Sequence, residues 1–277
     1  MSALGPVNDI AIHRLHVKST LSDAKELARD FETGGWVAEN EQEWLFVRSL
    51  AVKGKKHELR LQTSQALDSA RRTAVFGGSS AATQANAVRF ASLSELVAYL
   101  LRDLVNGDAV FRWYWQRWAY LLRESKANAI GQLLWEQTAT LPAIVEQLAQ
   151  LHQLERIWHE LQPQSAEIIA ARLFASISHL NEGTSPTAMQ GQPTTLPTLV
   201  RIFEHIPSVL RLWAPSLRRL TATDARTRLA GYIAGVSHFP VLLAKSPESA
   251  ATLFFHAVQK LQWFGPQPGD GLAPAGI

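Results

Sequence analysis

The apolar positions of the first ninety residues alternate between strand-like and helix-like spacing. Ile10 to Val17 and Trp44 to Val52 are short stretches rich in β-branched and aromatic residues and bounded by turn formers, as strands are. Between them Leu21, Ala24, Leu27 and Phe31 recur at helical spacing, Asp23 falls in the first turn, and Gly34-Gly35 supplies the stop. A second helix is expected from Ser64 to Val75, carrying Leu67, Ala70 and Ala74. The segment I-H-R-L-H-V-K from Ile12 resembles V-R-S-L-A-V-K from Val47, a hint of a duplicated strand-and-helix unit.

From Gly77 to Ala87 large apolar residues almost vanish in favour of Gly, Ser, Ala, Thr, Gln and Asn, the composition of a linker. Everything after it reads as helix. Ser92-Leu93-Ser94-Glu95 fits a capping box, Asn106-Gly107 a left-handed stop, and Asp108 a cap for a helix running to about Arg123. Pro142 is expected to open a helix through Leu161, and Pro163 one through Leu180, before a mobile loop with Pro186, Pro193 and Pro197. Short helices punctuated by Pro207, Pro215, Pro240 and Pro247 follow, the last capped at Ser246 and ending near Trp263. The reading is a mostly α fold with a small α/β N-terminal module: 1–76 module, 77–89 linker, 90–264 α-helical domain, 265–277 disordered tail.

The most apolar stretch, Leu229 to Ala244, is shorter than the roughly 20 residues a bilayer span needs and is interrupted by His238 and Pro240. It is expected as a buried helix, with Gly231 and Gly235 allowing close helix approach. Met1 to Asp9 shows no signal-peptide pattern, and a cytoplasmic protein without a transmembrane segment is expected.

The densest aromatic run is F-R-W-Y-W-Q-R-W from Phe111 to Trp118. On a helical wheel of about 100° per residue, Val110, Phe111, Tyr114, Trp115, Trp118, Leu121 and Leu122 form one core-facing arc. Trp113, Arg117 and Tyr120 fall outside it, a combination enriched at protein interfaces. The alternative is that this second side packs on a neighbouring helix of the same chain.

Composition narrows the chemistry. The 277 residues carry 27 basic and 24 acidic side chains, a formal charge of +3 that gives nucleic-acid binding little support. Lys53, Lys55 and Lys56 form the best nucleic-acid candidate, a small basic turn. The absence of cysteine removes disulfides, thiolate nucleophiles and Cys-based zinc sites.

Of the nine histidines, His152 and His159 share an expected helix face with Glu155, a metal-ligand set only if another helix contributes; no cofactor is expected. His13 and His16, three apart in a strand, point to opposite faces. Asp103 and Asp108 lie near the tryptophans, as acids do in sugar-cleaving sites, but Asp103 is expected on an exposed arc and Asp108 as a cap. Nucleophile-elbow, P-loop and dinucleotide glycine patterns are missing.

The opening I-H-R-L-H-V, followed by a helix and a second such strand, and the segment from Phe90 to Trp115 resemble proteins encoded with contractile injection systems, the phage-tail-like particles. The resemblance covers about the first half of the chain. It implies a role in assembling, capping or accompanying a particle, with no catalytic residues to carry over. The chain lacks the long heptad pattern of a tape-measure protein, so an accessory or adaptor component fits better. A non-enzymatic protein that binds another protein through Trp113, Arg117 and Tyr120 is therefore expected. The alternatives are a metal-dependent enzyme or small-molecule binder with a pocket near His152, His159 and His238, and a peripheral membrane protein. Sequence leaves the oligomeric state open.

Overall fold

The computed structural model describes residues 10–12, 15–18, 43–53, 56–182 and 207–264. The helix expected at 21–33, the loop with Pro186, Pro193 and Pro197, and the tail at 265–277 lie outside the described residues. The chain is mostly α with a small α/β module near its N-terminus, and it divides into two compact units, 1–125 and 126–277.

In the first unit two described strands stand where each single strand was expected. Ile10–Ile12 (β1) and Leu15–Lys18 (β2) replace the first, and Trp44–Val47 (β3) and Leu50–Lys53 (β4) the second. β1 pairs parallel with β3, Ile12 opposite Val47, and β2 pairs parallel with β4, Leu15 opposite Leu50. Ile12 and Leu15 to Lys18 of the first heptapeptide thus each lie opposite their counterparts in the second. Lys56–Thr73 (α1) starts a turn and more before the expected Ser64. Val75–Phe76 (β5) and Ala87–Phe90 (β6) complete a four-stranded sheet of order β1-β3-β6-β5, with β6 antiparallel to β3.

Strand β3 is buried on both faces, and its period of two sorts its side chains. Leu45 and Val47 join Leu50, Val52 and Ala87 in a cluster with Leu67 and Ala70 of α1. Phe46 turns to the other face and meets Phe90, Tyr114, Trp115 and Trp118, with ring centroids 6.0–6.4 Å away.

The stretch expected as a linker is built into this unit. Ala82 and Val88 are fully buried and β6 is a central strand. A Cβ on Gly77 would run into the ring of Phe90, and one on Gly78 into Tyr99 and Phe76, so these glycines answer a need for space. The small residues that suggested flexibility serve close packing, and the division between units falls after Ser125.

Leu93–Asn106 (α2) has the expected ends. Glu95 N donates to Ser92 Oγ at 3.1 Å and the Glu95 carboxylate reaches back to Ala91 N. Gly107, at φ +81°, closes a Schellman stop in which its amide donates to Leu104 O and the amide of Asp108 to Asp103 O.

Among the described residues the regular elements of the second unit are helices: Lys126–Glu136 (α3), Leu141–Gln150 (α4), Leu154–Glu160 (α5), Pro163–Glu182 (α6), Pro207–Leu217 (α7), Ala225–His238 (α8), Pro240–Lys245 (α9) and Pro247–Phe264 (α10). Prolines open α6, α7, α9 and α10, as fixed φ and a missing amide favour. Helix α8 packs on α6 and α10 and is buried from Leu229 to Gly235. A Cβ on Gly231 would sit 2.6 Å from Ala251 Cα of α10, the close approach expected from its spacing with Gly235. The single helix expected over Leu229–Ala244 breaks at Phe239, where Pro240 starts α9. No described helix is long and apolar enough to cross a membrane.

Candidate protein-docking site

The aromatic run does not form the expected α-helix. Three 3-10 turns follow α2: Ala109–Phe111, Trp113–Trp118 and Leu121–Arg123. Arg112, extended at φ −102° and ψ 110°, separates the first two. Three residues per turn put i and i+3 on one line. Trp115, Trp118 and Leu121 form that line, all 2% exposed or less; Trp115 and Trp118 pack on Phe46 of the sheet, and Trp115 also stacks on Phe90.

The change of period and the kink at Arg112 re-sort the expected faces. Tyr114, Trp115, Trp118 and Leu121 are core residues, as expected. Trp113, expected on the outer side, is 8% exposed and belongs to the core. Val110 and Phe111, expected in the core, are 60% and 76% exposed. Arg117 and Tyr120 remain on the surface, and the Arg117 guanidinium lies over the rings of Trp44 at 5.7 Å and Trp118 at 6.0 Å.

Asp103 is the residue on which this arrangement turns, and sequence reasoning misplaced it. Expected on an exposed arc, it is completely buried. Arg102 donates to its Oδ1 through Nε at 3.0 Å and Nη2 at 2.8 Å. Arg112 Nε lies 2.7 Å from Oδ2, and Trp115 Nε1 donates to Oδ2 at 2.9 Å. Three donated hydrogen bonds and the Arg112 guanidinium in ion-pair contact thus occupy this buried carboxylate, an arrangement of a structural charge more than of a general acid or base acting on a sugar.

Asp108 gives no side-chain cap; its amide serves the end of α2. Arg112 also donates through Nη1 to Tyr114 Oη at 2.8 Å, and that hydroxyl donates to Gly77 O at 3.0 Å. Burial pushes the Tyr114 hydroxyl above its ordinary range against the opposing pull of Arg112. Burial is the largest influence on Arg112 and works against its charge, but Asp103, Tyr114 and Asp108 together outweigh it and raise its pKa. The signal in the sequence was an acid in an apolar helix, one helical stop away from a tryptophan and an arginine that could reach it.

The other candidates are dispersed. His152 sits at φ 55° in a turn after α4, with the amides of His152 and Gln153 donating to Ala149 O and Leu148 O. This is a left-handed helix stop, so the helix expected through Leu161 ends at Gln150 and His152 shares no helix face with Glu155 and His159. His159 Nε2 lies 3.9 Å from Glu155 Oε1. Among the described residues no group of three or more His, Asp or Glu is placed to hold a metal ion.

His238 lines a groove of about 240 Å3 in the second unit, with Val145, Leu212, Trp213 and Ile233 as its apolar floor and Glu146 at its side. Lys53 ends β4 opposite Lys18, Lys56 begins α1, and Lys55 lies outside the described residues. His16 pairs opposite Ala51, and His13 is also outside them.

Two adjacent large apolar side chains held outward on a short turn, next to a buried ion-paired carboxylate, are suited to contact with another molecule and themselves carry no reacting group. No family model, curated protein or solved structure matches this chain.

Proposed function

We propose that this chain is a non-enzymatic assembly or adaptor component that docks another protein through the turn carrying Val110 and Phe111, with Arg117 and Tyr120 as flanking contacts. The observation that carries the reading is the 76% exposure of Phe111 beside the 60% exposure of Val110. Removing such side chains from water on docking contributes about 1.5–3 kcal/mol each, and interface hot spots favour aromatic and arginine residues. Trp113 supports the turn from within. The resemblance of 90–115 to proteins of contractile injection loci makes a phage-tail-like particle the proposed setting.

The test is mass spectrometry of proteins that co-purify with the tagged chain from its native cells, comparing wild type with Phe111→Ala. Sheath, tube or baseplate proteins that are lost from the variant would support the proposal; equal recovery with both forms would contradict the site. A second reading, small-molecule binding in the groove beside His238, draws on its apolar lining. Stoichiometric zinc or iron in the purified protein would favour a metal-dependent version of it.

A further inference from the structure

We infer that Asp103 is the positioning residue of the docking turn, a latch that holds Val110 and Phe111 outward in one conformation. The inference rests on the proposed docking role for its purpose, while its mechanics stand on the bonds alone. Asp103 grips both ends of the turn. Its backbone carbonyl accepts from the amide of Asp108 at 2.9 Å, just before Val110. Its carboxylate holds Arg112 at 2.7 Å and Trp115 Nε1 at 2.9 Å, just after Phe111.

Between these anchors, Ala109 is buried and Val110 and Phe111 form the exposed apex. The backbone hydrogen bonds that close the apex are local, from Phe111 N to Asp108 O at 3.0 Å and from Arg112 N to Ala109 O at 3.3 Å. An isolated turn of this length has little stability of its own, so its shape depends on the anchors. Arg112 extends the hold to Tyr114 Oη and through it to Gly77 O, on the far side of β6 in the chain. Ordering the turn before a partner arrives spares the complex that cost, which is how preorganisation raises affinity.

Chymotrypsin is a probe that needs no partner, because it cleaves after exposed phenylalanine only where the backbone can open into its site. Wild type should resist cleavage after Phe111 despite the exposure of that side chain. Asp103→Asn should raise the rate there roughly tenfold or more beyond any rise at buried Phe90, and Arg112→Gln should do the same with less disturbance to the core. Arg112→Lys, which keeps the charge but loses the fork reaching both Asp103 and Tyr114, should fall between Arg112→Gln and wild type.

Rapid cleavage after Phe111 in wild type would overturn the latch. So would a rise in the variants that is equal at Phe90 and Phe111, since Asp103 would then hold the unit at large. These results bear on the latch alone; the docking role fails separately, if Phe111→Ala co-purifies the same proteins as wild type.

Discussion

The two units bury tryptophan in different company. In the first, Trp115 is packed among Phe46, Phe90, Tyr114 and Trp118, yet its indole N–H is bonded to the carboxylate of Asp103. In the second, Trp158 of α5 and Trp213 of α7 meet edge to face at 4.6 Å between two helices, and no charge is bonded to Trp158 Nε1 among the described residues. The first arrangement fixes a turn in space because a buried carboxylate is costly unless its donors stay in place. The second relies on shape and apolar contact, which tolerate small adjustments. Similar residues therefore sit in a turn tied to a buried charge in one unit and in ordinary helix packing in the other.

The contrast breaks first at Asp103. Asp103→Ala leaves Arg102 and Arg112 without their shared anion and should destabilise the first unit by about 3–5 kcal/mol, read as a shifted denaturant midpoint. A loss under about 1 kcal/mol would mean the pairs are mutually dispensable.

In the second unit the sensitive feature is space. Gly231→Ala drives a methyl against the backbone of Ala251 and should cost about 1–3 kcal/mol, measured in the same way.

Asp224 comes next, as the cap of α8. It accepts from Arg226 N at 2.8 Å and pairs with the Arg226 guanidinium at 2.7 Å. Asp224→Ala should cost about 1–2 kcal/mol. The Arg226 side-chain bond holds the Asp224 carboxyl below its ordinary range. Its contribution is therefore complete above the unfolded value of about 3.9 and is lost as pH falls through the lower folded value. Wild type and Asp224→Ala should converge in stability toward the acid end of a pH series of melts.

The smallest effect on folding should come from Phe111→Ala, within about 0.5 kcal/mol, because the removed ring already faces solvent.

How much of this was legible in sequence follows the range of the forces involved. Proline, glycine and capping residues act within a few positions, so the Ser92 cap, the Gly107 stop and the starts at Pro163 and Pro247 were readable. The Ile12 and Val47 heptapeptides were visible as a weak repeat, and their parallel pairing gives that repeat a structural meaning. The linker reading failed because small residues suit tight packing as well as flexibility, which composition does not distinguish.

The site was harder for a related reason. Whether Trp113 to Trp118 winds with 3 or 3.6 residues per turn is decided by bonds to Asp103 and by the sheet face above, neither of which is local. A wheel drawn at the wrong period moved Trp113 outward and Phe111 inward. Similarly, His152 looked like a helix-face ligand until the left-handed turn at that residue ended α4.

The most direct test of the docking claim is photo-crosslinking in native cells with p-benzoylphenylalanine placed at position 111, and at the exposed Gln116 for comparison. One dominant crosslinked protein is expected at position 111 and a much weaker band at 116. Crosslinks of equal strength and identity at both positions, or none at 111, would contradict it.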